Sequence, residues 1–285
     1  MIRVTKSIKL TEGPTYWIAP FGDVHYNTDE ADKERFQLFI EWLTAHIKRG
    51  NNVGLIGVGD YNDALSPSER ASLVASKGGY GLHDTSLKTL DKTAKEMSDT
   101  FLNVVKPLKG HFLGLLDGHH YMTFSGMSPT GLRGRTNTEY MCDKLDCPYL
   151  GVGLGIIELD FGYGFKLVIA ASHGYGGART SGARVSKRVR MAEVVRADIY
   201  LMGHDDEKMA KESQVLDFID GKYVSREQVF IGTGSFQRGY PSGESGGYVE
   251  QLLLPPCGLG TVLIGVELEK RKGRYHLHHF WRSWR

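Results

Sequence analysis

Five times along this chain an apolar run breaks off into a glycine or serine followed by histidine or aspartate. The breaks are Gly22-Asp23-Val24-His25, Gly59-Asp60-Tyr61-Asn62-Asp63, Gly118-His119-His120, Ser172-His173-Gly174 and Gly203-His204-Asp205-Asp206. A short apolar run bounded by a turn is the pattern of a buried strand. Between the first two breaks, residues 29–50 space Phe36, Phe39, Ile40, Leu43 and Ile47 at helical intervals. An acidic start and a Lys-Arg-Gly finish complement that helix's dipole. Strand and helix therefore alternate, and the polar clusters sit where strands end. In α/β sheets that carboxyl edge is where ligands bind.

The rest of the chain extends the pattern. Residues 64–106 hold a second helical stretch, 110–120 a third strand, and 121–150 a loop followed by a short helix. From residue 151 the pattern predicts a hairpin turning at 161–164, a helix running into the strand that stops at Gly203-His204, and then Gly-rich strands. The last two of these turn at Lys270-Arg271-Lys272-Gly273. Strand-helix-strand followed by mostly strands predicts an α/β fold with a large β component. Neither a repeat nor a linker interrupts it, so one domain over 1–285 is expected. The chain carries 36 glycines in 285 residues, well above the usual ~7%, which suits a protein whose loops present its functional groups.

Charge and cysteine content narrow the setting. Lys+Arg number 35 against 33 Asp+Glu, a formal charge of +2, so any contact with a polyanion must be local. Cys142, Cys147 and Cys257 cannot form a closed disulfide set, which suits a reducing cytoplasm. The first residues lack the apolar run of a signal peptide, and no stretch approaches the ~18 apolar residues of a membrane span. A cytoplasmic protein without a membrane partner is expected.

Five of the eleven histidines lie in the strand-end clusters, together with several aspartates. Imidazole and carboxylate are the groups that bind borderline divalent metals. In an extended Asp-x-His or His-x-Asp segment, positions i and i+2 point to one side and can share an ion. By the same alternation Asp205 faces away from His204 and Asp206, as a solvated acid or one that backs a ligand.

In order and spacing these clusters resemble the calcineurin-like metallophosphoesterase superfamily. Its pattern is Asp-x-His, Gly-Asp-x-x-Asp/Asn, Gly-Asn-His-Asp/Glu, a lone His and finally Gly-His-x-His, and the match covers residues 22–206. Two positions depart: His119 stands where the family has a metal-binding Asn, with Tyr121 in place of the acid, and Asp206 stands where it has its last His. Both His119 and Asp206 are themselves potential ligands.

The resemblance implies a four-layer α/β/β/α sandwich of two mixed sheets with two adjacent divalent metals at the sheets' carboxyl edge. Asp23, His25, Asp60 and Asp206 would bind the first metal. Asp60 would bridge to the second, completed by His119, His173 and His204. A bridging carboxylate holds two dications roughly 3.5–4 Å apart, so that a hydroxide between them attacks phosphorus in line. The resemblance makes His120 the catalytic group, an acid or charge stabiliser, with Asp63 as its partner. Because the two rings are adjacent, His119 and His120 could exchange these roles.

The implied activity is phosphate-ester hydrolysis, with phosphodiesters favoured. A repair-type DNA exo- or endonuclease, or a phosphomonoesterase, is the alternative, and a non-catalytic scaffold is the reading from another class. Asp206 makes the first position rich in oxygen, which suits Mn²⁺ or Mg²⁺. His119 makes the second rich in nitrogen, which suits Zn²⁺, Fe, Ni, Co or Cu, so mixed occupancy fits the ligand set.

Basic residues suggest where a substrate's phosphates would lie. Arg179, Arg184, Lys187, Arg188, Arg190 and Arg196 follow His173; they form either a phosphate grip, led by Arg179 and Arg184, or a solvated helix. Arg133 and Arg135 invite the same two readings. The tail from Arg274 mixes basic and aromatic residues as single-strand binders do, and as a terminal strand also does. His276, His278 and His279 lack a neighbouring acid in sequence, and Cys142-x4-Cys147 has the wrong spacing for a zinc knuckle.

Overall fold

The computed structural model describes residues 2–76, 82–126, 132, 134–240 and 248–285. The first half of the chain runs β1 (Ile2–Ser7), β2 (Tyr16–Phe21), α1 (Lys33–Lys48), β3 (Val53–Gly57), α2 (Pro67–Ser76), α3 (Asp84–Val105), β4 (Phe112–Leu116), α4 (Asn137–Leu145) and β5 (Tyr149–Gly151). The second half runs β6 (Leu154–Gly162), β7 (Phe165–Ser172), α5 (Ser181–Val189), α6 (Met191–Val194), β8 (Ile199–Met202), β9 (Lys208–Ile219), β10 (Lys222–Thr233), α7 (Tyr248–Gln251), β11 (Thr261–Arg271) and β12 (Arg274–Trp284).

Two six-stranded sheets result, in the orders β1-β6-β7-β8-β10-β9 and β12-β11-β2-β3-β4-β5. Each mixes parallel and antiparallel pairs. Every residue of β2, β3 and β4 is buried, as continuous apolar strands covered on both faces must be. Ile18, Ile56 and Leu113 on one sheet meet Ile157, Ile169 and Leu201 on the other, which makes the inner core. Outside it, Phe36, Phe39 and Leu43 of α1, with Phe101 of α3 and Met141 of α4, cover Phe21, Leu55 and Leu115. Met191 of α6 packs with Tyr200 and Phe230 on the opposite outer face. This is the four-layer α/β/β/α sandwich of two mixed sheets that the sequence resemblance implies.

The helix α1 starts inside the acidic stretch that opens residues 29–50, capped by Asp32. Asp32 accepts the Arg35 N–H at 3.2 Å, and Phe36, Phe39, Ile40 and Leu43 form the buried stripe. The same Asp32 also holds Arg238 at 3.2 Å, which ties the helix start to the loop after β10.

One element is longer than its sequence suggests. The strand β10, one of the Gly-rich strands expected late in the chain, begins at Lys222 and pairs along its whole length with β9, Lys208 opposite Thr233 and Ile219 opposite Lys222. The turn is Asp220-Gly221, both at positive φ (49° and 77°), a dipeptide suited to a two-residue hairpin. The outer half of this ribbon is largely exposed, Asp217 excepted, so its hydrophobic alternation is weak.

Candidate metal centre

β2, β3 and β4 are parallel in one sheet, as are β7, β8 and β10 in the other. Their carboxyl ends meet, and the five polar clusters meet with them. The local backbone is not the extended chain expected for ligands two residues apart. Asp23, His25, Asp60, His204 and Asp206 all take the left-handed conformation, with φ of 49°, 44°, 51°, 66° and 51°. Such a backbone costs a non-glycine residue about 1–3 kcal/mol, less for Asp and His than for branched residues. Strain concentrated in one place marks a functional site.

Hydrogen bonds hold these turns against each other. Asp60 O accepts from Val24 N at 2.8 Å and His25 N at 3.0 Å, and Gly59 O accepts from Asp23 N at 3.0 Å. The two sheets are joined by His204 N donating to Asp23 Oδ2 at 2.9 Å. Gly118 is required sterically, since a Cβ there would run into Asp60 Oδ1 and the Asp60 backbone.

The side chains then converge. His173 is 2% exposed; its Nδ1–H donates to Val58 O at 2.8 Å, which turns Nε2 toward Asp60 Oδ2, 3.0 Å away. His204 Nε2–H reaches Gly176 O at 3.1 Å, leaving Nδ1 3.3 Å from His119 Nδ1. Three groups have ligand atoms within 4.8 Å of one another: His119, His173 and His204; Asp23, Asp60 and His173; and His25, Asp63 and His120. Asp206 lines the same cavity but stands outside all three groups.

Adjacent His119 and His120 are separated by their surroundings. His119 lies among the other histidines, with ring centroids 4.7 Å from His173 and 4.4 Å from His204. His120 turns to Asp63, Nδ1 to Oδ1 at 2.5 Å, and its backbone N–H donates to Asp60 Oδ1 at 2.8 Å.

Burial and mutual charge shift every titration in the cluster. Burial acts to raise the Asp60 carboxyl, but His173, His25 and His120 around it hold it well below the usual range. Burial acts to lower the His173 imidazole, and Asp60 with Asp23 overcome it and push it up to about 9. Burial, then His173 and His119, bring His204 down to about 3, and burial followed by His173 lowers His119. Withdrawal from water pushes Asp206 up to about 6 and Asp23 well above its ordinary value. Burial opposes the charge on His120, yet the Asp63 hydrogen bond raises it.

A pair of dications fits this donor set. His25 Nδ1 is buried without a hydrogen-bond partner, an arrangement that costs about 1–3 kcal/mol unless something binds there. The Asp23 and Asp206 carboxylates made unfavourable by burial, and the His119 and His204 imidazoles lowered by burial and by neighbouring rings, are groups that a bound cation relieves.

The basic residues after His173 divide by what they touch. Arg179 and Arg184 line a cavity of about 830 Å³ over the ligand cluster. Arg184 is 7% exposed and its Nε–H donates to Ala178 O at 3.0 Å. Arg188 is fully buried, 3.1 Å from Glu207 and 3.8 Å from Asp205. Lys187 holds Asp205 at 2.7 Å, so Asp205 is a buried, ion-paired acid and the helix is not simply solvated. Arg196 pairs with Asp217 at 2.7 Å. Arg135 pairs with Asp143 at 2.5 Å on α4, away from the substrate role considered for it. Arg133 lies outside the described residues. The tail forms the antiparallel strand β12, where His278 meets Glu269 at 3.4 Å and His279 meets Glu227 at 3.2 Å. Acids absent from its sequence neighbourhood are therefore supplied across the sheets.

Sequence reasoning missed Arg70, Arg238 and the segment 249–255. Arg70 of α2 donates through Nη1 to His119 O at 2.6 Å and Tyr121 O at 2.9 Å, and its guanidinium lies 4.0 Å from the Tyr121 ring centroid. Tyr121, in the position of the family acid, thus serves as a platform for the cation that clamps the His119-His120 loop. The start of α2 was readable in Ser66-Pro67-Ser68-Glu69, where Ser66 N donates to Glu69 Oε2 at 2.7 Å.

The chain matches no protein-family profile, and no curated protein matches it in sequence. Solved structures are similar to it. A Vps29 variant from Entamoeba histolytica aligns over 94% of this chain and 99% of its own, at 14% identity and a TM-score of 0.40. A Streptococcus pneumoniae TIGR4 protein described as a predicted phosphoesterase aligns over 94% and 98%, at 12% identity and 0.32. The SoxB sulfate thiohydrolase of Thermus thermophilus aligns over 97% of this chain and 58% of its own, at 10% identity and 0.39.

Proposed function

We propose that this chain is a metallophosphoesterase that hydrolyses phosphodiesters with two divalent metals. The observation that carries this is the meeting of Asp23, Asp60, His119, His173 and His204 at the joined sheet edges, with His120 and Asp63 beside them. Asp23, His25, Asp60 and Asp206 would hold one ion, and Asp60, His119, His173 and His204 the other. The chemistry such ions would supply is polarisation of the phosphoryl group and a water that ionises near neutral pH.

The chain's own residues supply the rest. Asp63 fixes the His120 ring through Nδ1, so Nε2 is the atom that delivers a proton to the departing ester oxygen. The Asp63 hydrogen bond raises His120 against the effect of burial, which favours the protonated ring that an acid needs. Arg184 carries a positive charge into the cavity with no carboxylate within 4 Å among the described residues, and Arg179 does the same at the rim. Both suit the charged oxygens of a bound phosphate. Counting Asp23, Asp60 and Asp206, three carboxylates would offset most of the charge of two dications, which favours the singly charged diester over a dianionic monoester.

Against the nuclease reading, Lys187, Arg188 and Arg196 are engaged with Asp205, Glu207 and Asp217 rather than offered to a polyanion. Mn²⁺ is the activator proposed, with a softer metal at the imidazole-rich position. Three unpaired thiols favour a cytoplasmic setting; no helix among the described residues is long and apolar enough to cross a membrane. The test is chelation followed by metal add-back with bis-p-nitrophenyl phosphate as substrate. Mn²⁺-dependent turnover that exceeds turnover of the aryl monoester is expected. No metal-dependent turnover of either would make the chain a scaffold.

A further inference from the structure

The cavity over the ligand cluster has two kinds of wall. The metal ligands, Arg179 and Arg184 are polar, but Val249, Leu252, Leu254 and Pro255 also line it. This apolar side is built into the fold. Leu254 N–H bonds to Val249 O at 2.9 Å, and the Tyr240 hydroxyl donates to Leu254 O at 2.7 Å. Val249 packs against Gly239, whose missing Cβ would meet Val249 Cγ1 at 2.8 Å and Cys257 Sγ at 3.1 Å. Gly258, next to Cys257, donates its N–H to Asp206 O at 2.5 Å. The wall therefore rises on the Asp206 side of the cavity, whereas the proposed acid His120 is tied to Asp63.

Among the described residues that line the cavity, none is Phe, Tyr or Trp. Proteins that hold single strands stack bases on such rings. An aliphatic wall in a cavity of about 830 Å³ suits one compact ligand whose apolar surface leaves water.

We propose that the substrate is a small phosphodiester in which one ester group is apolar, and that this group, retained on phosphorus after cleavage, lies along Val249, Leu252, Leu254 and Pro255. The inference rests on the phosphodiesterase reading above. In it, His120 serves the leaving oxygen, the metals and Arg184 take the phosphate, and the aliphatic wall selects the group that stays. Contact with the wall is made in ground and transition state alike, so chain length acts through kcat/KM.

The experiment uses the full chain loaded with Mn²⁺ and three p-nitrophenyl diesters whose second group is methyl, propyl or hexyl. kcat/KM is expected to climb along the series by roughly fourfold per methylene until the wall is covered, the factor that matches ~0.8 kcal/mol per buried CH₂. Leu252→Ser and Leu254→Ser should flatten the climb, bringing the hexyl-to-methyl ratio toward one. Leu253→Ser, whose side chain is 85% exposed, should keep the wild-type ratio. A flat series with active turnover overturns the apolar subsite and leaves the phosphodiesterase reading standing. A single-stranded oligonucleotide cleaved with higher kcat/KM than the hexyl ester also overturns it. Absence of metal-dependent turnover even of the methyl ester overturns both.

Discussion

The backbone N–H of His120 donates to Asp60 Oδ1 at 2.8 Å, so the proposed acid and the proposed bridging carboxylate are fixed to each other through a peptide group. Asp60 thereby serves both metal positions and the loop that carries the acid. Asp60→Asn should lose both metals, because an amide oxygen is a poor bridge between cations. Elemental analysis after gel filtration reads the outcome. Two tightly held metals in that variant would refute the bridge.

The neighbours His119 and His120 should fail in different ways. His120→Ala should keep both metals and lose on the order of 10²–10⁴ in kcat, the range for one general acid-base group. His119→Ala should lose occupancy at the imidazole-rich position. Metal content and kcat measured on both variants decide it, and a reversed pattern means that the two roles are exchanged.

Metal binding should be proton-linked, with a sign set by the raised ligands. A metal needs its ligands unprotonated, and a ligand whose pKa is raised keeps its proton to higher pH. His173, at about 9, must lose a proton throughout the neutral range. Asp206, at about 6, adds a second below that, and Asp23 acts in the same direction. Apparent Mn²⁺ affinity should therefore fall about tenfold per pH unit from pH 8.5 to 6.5, and more steeply below pH 6. Competition against a fluorescent chelator measures this. An affinity that does not change between pH 8.5 and 5.5 would contradict this proton linkage.

Arg188 should matter for stability. It is fully buried between Asp205 and Glu207, and removing one partner of a buried ion pair costs about 3–5 kcal/mol. Lys187 still neutralises Asp205 at 2.7 Å, which puts Arg188→Met near the lower end, about 3 kcal/mol. Urea unfolding of the metal-free protein gives the value. A change within ~0.5 kcal/mol, as for an ordinary surface position, would mean that this arginine is not a structural strut.

The sequence shows β2, β3 and β4 clearly because strands buried on both faces leave unbroken apolar runs. The clusters at their ends are equally visible, since Gly-Asp and Gly-His stop each run abruptly. The β9–β10 hairpin was hidden by its solvated outer half, although Asp220-Gly221 marked its turn. The left-handed backbone at Asp23 and Asp60 was invisible because it is imposed by contacts with residues distant in sequence. Arg188 reads as a surface cation by type, for arginine is rarely buried unless paired, and its partners Asp205 and Glu207 come from the next strand end. Arg70 reaches His119 and Tyr121 across some fifty residues, and no local pattern records such a reach.

Neither sheet holds the centre alone. Asp23, His25, Asp60 and His119 come from one sheet, His173, His204 and Asp206 from the other, and the Asp23–His204 hydrogen bond joins positions 181 residues apart. Ions held by both sets, as proposed, would act as rivets through a seam. Binding only when the seam is closed, they would add their binding free energy to the resistance against prising the sheets apart. Resistance to heat and to proteolysis should accordingly rise with free metal concentration, and the first opening of the chelated protein should run along this edge.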